Sequence, residues 1–543
     1  MNAPASSIET TVPSNLDVVV IGAGFAGLYA LHRLRGNGLR VQVFESAGDV
    51  GGTWYWNRYP GARCDVESVD YSYSFDDELQ QDWTWTENYA TQPEILSYLR
   101  HVAERFDLRR DIKFNTRVTD IVFDETTTRW QVTTASGDAV TARFVVLGVG
   151  PLSNANIPAI EGLASFAGPV YHTSKWPHEV VDFTEQRVGV IGTGSSGIQA
   201  IPCIAQQAAQ LHVFQRSPNY SVPAGNVPLD DKTVREHKAT YAERRRLSML
   251  SGGGSPHRPH PKSALEVSDE ERRAAYEKRW QLGGVLFAKT FSDQSVTVEA
   301  NNTAREFWED KIRAVVDDPD IADLLIPKDH PIGTKRICTD DHYFQTFNRP
   351  NVDLVNLRAT PIERIDAGGI HTSDDYYELD ALVLATGFDA MTGSVDKLNI
   401  VGRGGQTLNA AWAEGPVTYL GLGVPGFPNL FNIAGAGSPS VLANMVLHAE
   451  LHVDWIAAAI AHLDTHGTVG IEACADAAAD WVKECSDRAT GTLMLQANSW
   501  YLGANIPGKP RVFMPFIGGF GVYGQIIADV AAAGYKGFDL IEA

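Results

Sequence analysis

Leu16-Asp17-Val18-Val19-Val20-Ile21-Gly22-Ala23-Gly24-Phe25-Ala26-Gly27-Leu28-Tyr29-Ala30-Leu31 is the stretch that decides the fold. Its first six residues are a β-branched run of the kind that forms a buried strand. The glycines follow at G-x-G-x-x-G spacing, and helical apolar spacing follows the glycines. In that order each glycine has a task. Gly22 makes the tight turn, Gly24 lets the backbone approach a pyrophosphate, and Gly27 lets helix and strand pack closely. The helix N-terminus adds N–H donors and positive potential for an anion. A second strand, Val41 to Phe44, ends in Glu45, placed to accept hydrogen bonds from a ribose 2′-hydroxyl and to repel a 2′-phosphate. The unit is therefore expected to hold the ADP half of FAD or NAD.

The pattern recurs with the opposite ribose chemistry. Arg187 to Ile191 runs into Gly192-Thr193-Gly194-Ser195-Ser196-Gly197 and a helix from Ile198. The next strand, Leu211 to Phe214, ends in Gln215-Arg216-Ser217, with a guanidinium where an acid stood before. Arginine gives a phosphate bidentate, charge-assisted hydrogen bonds. This unit is expected to hold NADP through Gly192, Thr193, Gly194, Ser195, Ser196 and Gly197, with Arg216 and Ser217 at the 2′-phosphate. One such motif is a weak signal; two in the right context, with complementary charge, are not.

The rest of the chain bounds the answer. At 543 residues it is long enough for two or three domains. A net charge of −21 disfavours partners such as nucleic acid or an anionic membrane surface. No apolar run is long enough for a transmembrane helix, and Met1 to Asn15 has no signal-peptide pattern and reads as a loose tail. Five scattered cysteines, never C-x-x-C, disfavour a disulfide scaffold, a zinc site and a dithiol reductase, so the cytoplasm is the expected compartment and no metal is expected. The oligomeric state is left open, with a monomer compatible.

Phe144 to Gly150, Leu379 to Gly387 and Leu430 to Gly435 each read as a strand ending in a glycine turn, and all three are assigned to the first unit. Between Pro228 and Asp329 the composition turns to charged helical patterns. Ser268-Asp269-Glu270-Glu271 is a capping box, and Trp308, Ile312, Val315 and Val316 make a helical stripe. Ser251 to Pro261 is a loop whose histidines, His257 and His260, are expected to be solvated, not metal-bound. The fold expected is α/β: two Rossmann-like dinucleotide-binding domains for FAD and NADP, with an α-helical insertion in the NADP domain. The FAD domain is assigned residues 1–150 and 389–543, the latter with a C-terminal active-site loop; the NADP domain 151–227 and 330–388; and the insertion 228–329.

Two longer motifs narrow the function. Phe166-Ala167-Gly168-Pro169-Val170-Tyr171-His172-Thr173-Ser174-Lys175-Trp176-Pro177 matches F-x-G-x-x-x-H-x-x-x-W-P, and Gly52-Thr53-Trp54, then Tyr59-Pro60-Gly61 and Asp65, matches G-x-W-x-x-x-x-Y-P-G-x-x-x-D. Together they resemble the fingerprints of type I Baeyer–Villiger monooxygenases. The similarity runs from residue 16 to the C-terminus. It is strongest to the subgroup of phenylacetone and steroid monooxygenases, through Ser251 to Ser268 and Gly503 to Arg511.

The resemblance implies an enzyme that uses FAD, NADPH and O₂ to turn a ketone into an ester through a flavin peroxide. Steroid 20-ketones such as progesterone, or aryl methyl ketones, are the expected substrates; the alternative is oxygenation of sulfur or nitrogen. It implies that Arg336 is the cation serving peroxide and oxyanion, that Asp65 orients it and tempers its charge, and that Thr53, Trp54, Tyr59 and Asp65 lie at the flavin. It places Lys335 beside Arg216, makes His172 a linker between domain motion and coenzyme binding, and gives Trp500 the part of a lid over nicotinamide. Val66, Leu442 and Met445 are implied walls of the substrate pocket.

The ribose-site contrast is directly testable. Arg216→Ala should weaken NADPH by about ten- to a hundredfold, the worth of one charge-assisted contact, and NADH far less. Glu45→Ala should loosen FAD and leave coenzyme preference alone. Coenzyme titrations of the two variants check this; equal losses of NADPH and NADH in the arginine variant would remove Arg216 from the phosphate site.

Overall fold

Two sheets of one construction make up the α/β frame in the computed structural model, which describes residues 15–542; residues 1–14, and with them most of the expected N-terminal tail, lie outside the described residues. In the first sheet the strand Asn15–Ile21 lies between Val41–Phe44 and Ala139–Leu147, parallel to both. In the second, Arg187–Ile191 lies between Gln210–Gln215 and Ala381–Leu384, again parallel to both. Even the register repeats: Ile21 faces Phe44, and Ile191 faces Phe214. Gly22 N–H donates to the Phe44 carbonyl at 2.8 Å, and Gly192 N–H to the Phe214 carbonyl at 3.1 Å.

The third strand of each trio explains the first glycine. Gly22 has φ +99°, and a β-carbon on it would stand 2.7 Å from the Gly148 carbonyl oxygen. Gly192 has φ +109°, and its β-carbon would stand 2.5 Å from the Ala385 carbonyl oxygen. This corrects the reading of Leu379–Leu384 as a return to the first unit, a reading already at odds with the bounds 330–388 given to the NADP domain. The strand Ala381–Leu384 belongs to the second sheet, where it does what Ala139–Leu147 does in the first. Both end in a glycine turn, and both are continuous apolar runs because both are buried on two faces, so composition alone does not distinguish their sheets. Leu430–Asn432, by contrast, pairs with Ala139–Leu147 as expected.

Among the described residues the first sheet has eight strands. Its outer part is an antiparallel extension through Arg129–Thr134 and Val118–Asp124, edged by Asn399–Val401. The second has five strands, all parallel, ending in Val352–Asn356 on one side and Val170–His172 on the other. Helices Phe25–Gly36 and Met445–His466 pack together over the first sheet, where Tyr29 Oη donates to Asp454 Oδ1 at 2.9 Å. Val18, Val20, Leu28, Leu31, Val453 and Ile456 are buried in the shared core, each contributing about 1.5–3 kcal/mol relative to exposure.

Between the two strands Ser221–Pro223 and Cys338–Asp340, which pair with each other, the chain is largely helical: Asp231–Met249, Asp269–Leu282, Val298–Arg313 and Pro319–Leu325. Of the expected capping box the N-cap half forms, with Ser268 Oγ accepting from Glu271 N–H at 3.1 Å, while the Glu271 carboxylate faces His260 and Lys262. Trp308, Ile312 and Val316 are buried, and Val315 partly so. His257 is exposed, as expected, and also pairs with Glu67 at 2.9 Å. Among the described residues no group of His, Cys, Asp and Glu could hold a metal, and no helix is long and apolar enough to cross a membrane.

The glycines of one motif are not equivalent, and this can be measured. A β-carbon on Gly27 would lie 1.7 Å from the Gly22 carbonyl oxygen, whereas one on Gly194 meets nothing within 4 Å. Gly27→Ala should therefore lower the melting temperature, overpacking costing about 1–3 kcal/mol or more. Gly194→Val should melt like the parent, stay yellow and fail to be bleached by NADPH. Melting curves and anaerobic absorbance read both, and a colourless Gly194→Val would mean that the two nucleotide sites had been exchanged.

Candidate active site

A cavity of about 1270 Å³ runs from the first glycine turn to the second. At one end lie Gly22, Gly24 and Glu45. The helix behind them, Phe25–Gly36, starts at Gly24 with no side-chain cap, so its first N–H groups face the cavity unsatisfied, with the positive end of the helix. Gly24 and Gly52 form the floor: a β-carbon on Gly52 would lie 2.9 Å from Gly24 Cα. Glu45 is buried, and its carboxylate accepts from Ala23 N–H at 2.6 Å and Ala47 N–H at 2.7 Å. That fixes it beside the turn with oxygen lone pairs left for a ribose hydroxyl. Bare helix N-terminus, glycine floor and oriented acid fit the ADP half of FAD.

The other end repeats the cradle with different charge. The helix Ser195–Ala205 starts at Gly194, also without a side-chain cap, and Thr193, Gly194, Ser195 and Ser196 line the cavity. By register, the position of Glu45 is taken here by neutral Gln215, and Arg216 follows one residue later. Arg216, Ser217 and Lys335 all line the cavity. Burial, and then the charges of Arg358 and Arg216, hold the Lys335 ammonium below the usual lysine range, against the opposing pull of Asp329. Arg358 donates to Ser217 Oγ at 3.1 Å. Cations crowded around a small hydroxyl suit a 2′-phosphate, so this donor set fits NADP.

Arg336 and Asp65 meet between the two ends. Arg336 Nε donates to Asp65 Oδ2 at 2.7 Å and Nη2 to Oδ1 at 2.9 Å, a two-point fork, while Nη1 donates to the Val441 carbonyl at 2.8 Å. Burial alone disfavours the charged form of both groups. Each overrides it for the other: Asp65 is held below the ordinary carboxylate range, and Arg336 above the usual arginine value. Both side chains remain partly open to the cavity, 31% for the arginine and 21% for the aspartate. Trp54, Tyr59, Val66 and Met445 line the same space. Tyr59 Oη donates to Gln199 at 2.8 Å, and burial pushes its phenol up to about 12.

Two of the expected site residues, His172 and Leu442, stand back from the cavity. His172 is on the edge strand Val170–His172; its Nδ1 accepts from Ser174 N–H at 3.1 Å, and its Nε2 lies 3.2 Å from Thr386 Oγ1. Thr386 Oγ1 in turn donates to the Asn156 carbonyl at 2.6 Å. His172 thus ties together the two chain segments that cross between the sheets, and burial lowers its pKa so that it is neutral near pH 7. Leu442 packs with the cluster around Met391 and Met494 and does not line the cavity. Gly27 and Gly197 also lie off it, as close-packing glycines should. Trp500 lines it, and the loop that follows is pinned: Asn505 Nδ2 donates to the Phe388 carbonyl at 2.7 Å, and Lys509 Nζ lies 2.6 Å from Asp389.

Three site residues escaped the sequence reading. Arg358 follows the strand Val352–Asn356, whose parallel neighbour is Gln210–Gln215; a strand-end cation one strand over from Arg216 was the available signal. Asn505 lines the cavity from within the C-terminal loop. Tyr501 sits close to Arg336, and burial pushes its phenol up to about 12 against the opposing arginine charge. Nothing in its sequence neighbourhood marks it.

The flavin-binding monooxygenase-like family matches residues 15–223. A Baeyer–Villiger monooxygenase of Pseudooceanicola batsensis is 43% identical over 529 residues, covering 97% of this chain and 96% of that protein. The chain belongs to the Baeyer–Villiger monooxygenase family. The solved structure of an oxidised steroid monooxygenase bound to NADP is 68% identical, with a TM-score of 0.94, covering 97% of this chain and all of that one. A second solved structure, that of OTEMO in complex with FAD and NADP, is 39% identical with a TM-score of 0.94, covering 97% of this chain and 99% of that one. The chain is thus a flavin monooxygenase that uses FAD and NADPH.

The Asp65–Arg336 fork carries a stability prediction with a definite sign. Because the folded-state pKa of Asp65 is depressed, its contribution is present above the unfolded value of about 4 and is lost as pH falls through the folded one. Asp65→Ala should lower stability near pH 7 by about 1–3 kcal/mol, less than for a sealed pair because the cavity hydrates both partners. The difference in melting temperature between parent and variant should narrow on acidification below about pH 4. A gap that stays constant with pH would assign the loss to packing instead.

Proposed function

We propose that this enzyme oxidises methyl ketones that carry a bulky apolar group, with acetyl-bearing steroids as the best substrates, to the corresponding acetate esters. The observation that carries the chemistry is Arg336, held in a two-point fork by Asp65 and open to a cavity shared by both nucleotide cradles. The substrate class rests on the 68% identity to the steroid monooxygenase. Free thiols at all five cysteines fit a reducing compartment.

FAD, once reduced by NADPH, supplies the activation of O₂. What the chain supplies is geometry and charge. Arg336 stays protonated at any working pH and places a fixed cation where negative charge develops on oxygen during attack at a carbonyl. Asp65 takes two of its donors and the Val441 carbonyl a third, so the guanidinium cannot swing. The carboxylate also lowers the net local charge, so the reacting anion is steadied without being made inert. The aromatic and aliphatic walls, Trp54, Tyr59, Val66 and Met445, limit water near that charge. We assign His172 the linker role and Trp500 the lid. Oxygenation of sulfur or nitrogen develops no carbonyl oxyanion and would leave the fork without this task.

The test is product identification and kcat/KM for progesterone and phenylacetone side by side. The expected products are acetate esters, because the more substituted carbon better bears the positive charge that builds as it migrates. Arg336→Ala should lose ester formation while NADPH still bleaches the enzyme anaerobically. Normal ester yield in that variant would take Arg336 out of the chemistry. Clear preference for small cyclic ketones, with no ester from progesterone, would overturn the steroid reading.

A further inference from the structure

Among the described residues the chain crosses between the two sheets twice, and the crossings lie against each other. Residues 150–156 lead from Ala139–Leu147 of the first sheet toward Val170–His172 of the second, and residues 386–391 lead back from Ala381–Leu384 toward Asn399–Val401. They form a short antiparallel ribbon. Asn156 N–H donates to the Gly387 carbonyl, Asp389 N–H to the Asn154 carbonyl and Met391 N–H to the Pro151 carbonyl, each at 2.9 Å. Any rotation of one nucleotide-binding unit against the other is taken up at this ribbon or beside it.

A third segment is fastened to the same ribbon. The loop 503–510 follows the turn Trp500–Leu502, and Trp500 and Asn505 line the cavity. Among the described residues, the side-chain hydrogen bonds from this loop to the rest of the protein all end on residues 388–390. Asn505 Nδ2 donates to the Phe388 carbonyl at 2.7 Å, and Lys509 Nζ donates to Asp389 Oδ1 at 2.6 Å and to the Ala390 carbonyl at 2.9 Å. The ion pair is largely shielded from water, its side chains being 10% and 20% exposed. Either charge left alone at that depth is costly. A second acid, Asp396, feels the Lys509 charge, but its carboxylate is engaged by Thr392 Oγ1 at 2.8 Å. Gly503 and Gly508, at φ +69° and +79°, leave the loop compliant, so its place is set by these bonds.

We propose that Lys509 and Asp389 are positioning residues that latch the C-terminal loop to the ribbon, so that the loop moves with the crossings and carries Trp500 over the cavity as the two units close. The proposal rests on the reading of Trp500 as a lid and adds what drives it. A loop tied to the sheet of either unit would follow that unit alone, whereas a loop tied to the ribbon follows the angle between them. With the pair broken, the cavity admits water and releases NADP⁺ sooner. NADPH, O₂ and a proton then go to NADP⁺ and hydrogen peroxide in place of ester formation. A charge-assisted bond of this kind shifts the balance between fastened and free loop by about ten- to a hundredfold.

The test uses the FAD-loaded enzyme. Lys509→Met should stay yellow and still be bleached by NADPH. Its Kd for NADP⁺, read by equilibrium dialysis without turnover, should rise by about tenfold or more. Hydrogen peroxide released per NADPH, with the better of progesterone and phenylacetone present, should rise with it, and Lys509→Arg should restore both in part. Asp389→Asn keeps the shape of the side chain and carries the same test should Lys509→Met fail to fold. The double variant should be no worse than either single one, since both remove the same pair. A pair that only stabilised the fold would lower the melting temperature and leave NADP⁺ affinity and peroxide release at parent values, and that result overturns the proposal. Trp500→Ala separates lid from latch. If it leaves affinity and peroxide release unchanged while Lys509→Met alters both, the latch stands and Trp500 loses the part of the lid.

Discussion

Arg336 and Asp65 are 271 residues apart in sequence, and the fork between them is the constraint around which the site is built. A guanidinium has five donors to satisfy when taken out of water, and the fold engages three of them, two with the Asp65 carboxylate and one with a carbonyl of the Ser440–Leu442 turn, leaving the others toward the cavity. Neither charged partner would be tolerated alone at that depth, since an unpaired buried charge costs several kcal/mol. The pairing therefore does two things together. It sets the relative position of the two cradles, and it leaves a cation beside the cavity that cannot lose its proton.

The cradles themselves follow from close approach. Each repeats a central strand, a left-handed first glycine under the carbonyl of a returning strand, and a third glycine pressed on the first. These demands act on residues a few positions apart, which is why both motifs, their order and their opposite ribose chemistry could be read from the sequence. The Asp65–Arg336 pair was legible only through the longer motif and its resemblance, because no local pattern distinguishes such a pair from an ordinary surface one. What escaped depends on pairing across long separations. Ala381–Leu384 went to the wrong sheet because a buried parallel strand carries no mark of its neighbours. Arg358 and Tyr501 escaped because their value lies in what other segments bring beside them.

The same reasoning separates global from local charge. A chain with a net charge of −21 repels anions at long range, and salt screens that repulsion beyond about 8–10 Å. Within the coenzyme site Arg216, Lys335 and Arg358 act over shorter distances, in a partly desolvated environment where each Coulomb term is larger. NADPH therefore meets a local sign opposite to that of the protein as a whole. Acidic composition at the surface and phosphate binding in the interior are compatible because solvent screening keeps the two fields apart.

The wall beside Arg336 shows what holding that cation demands of the backbone. Leu420, Ala434 and Ser440 are non-glycine residues in the left-handed region, with φ of 59°, 56° and 45°, each strained by about 1–3 kcal/mol. All three are tied to buried polar side chains. Tyr523 Oη donates to the Leu420 carbonyl at 2.5 Å, Ala434 N–H donates to His452 Nδ1 at 3.1 Å, and Ser440 Oγ donates to the Ala434 carbonyl at 2.8 Å. With Nδ1 accepting, His452 carries its proton on Nε2, which lies 2.7 Å from Tyr523 Oη and can donate to it. Burial keeps this histidine neutral, as the acceptor role requires. Glycine at these positions would relieve the strain but free the backbone. Side chains held by buried hydrogen bonds are restrained, and Val441, next in line after Ser440, presents its carbonyl to Arg336 from that base. The precision of the charged pair thus depends on a neutral network behind it.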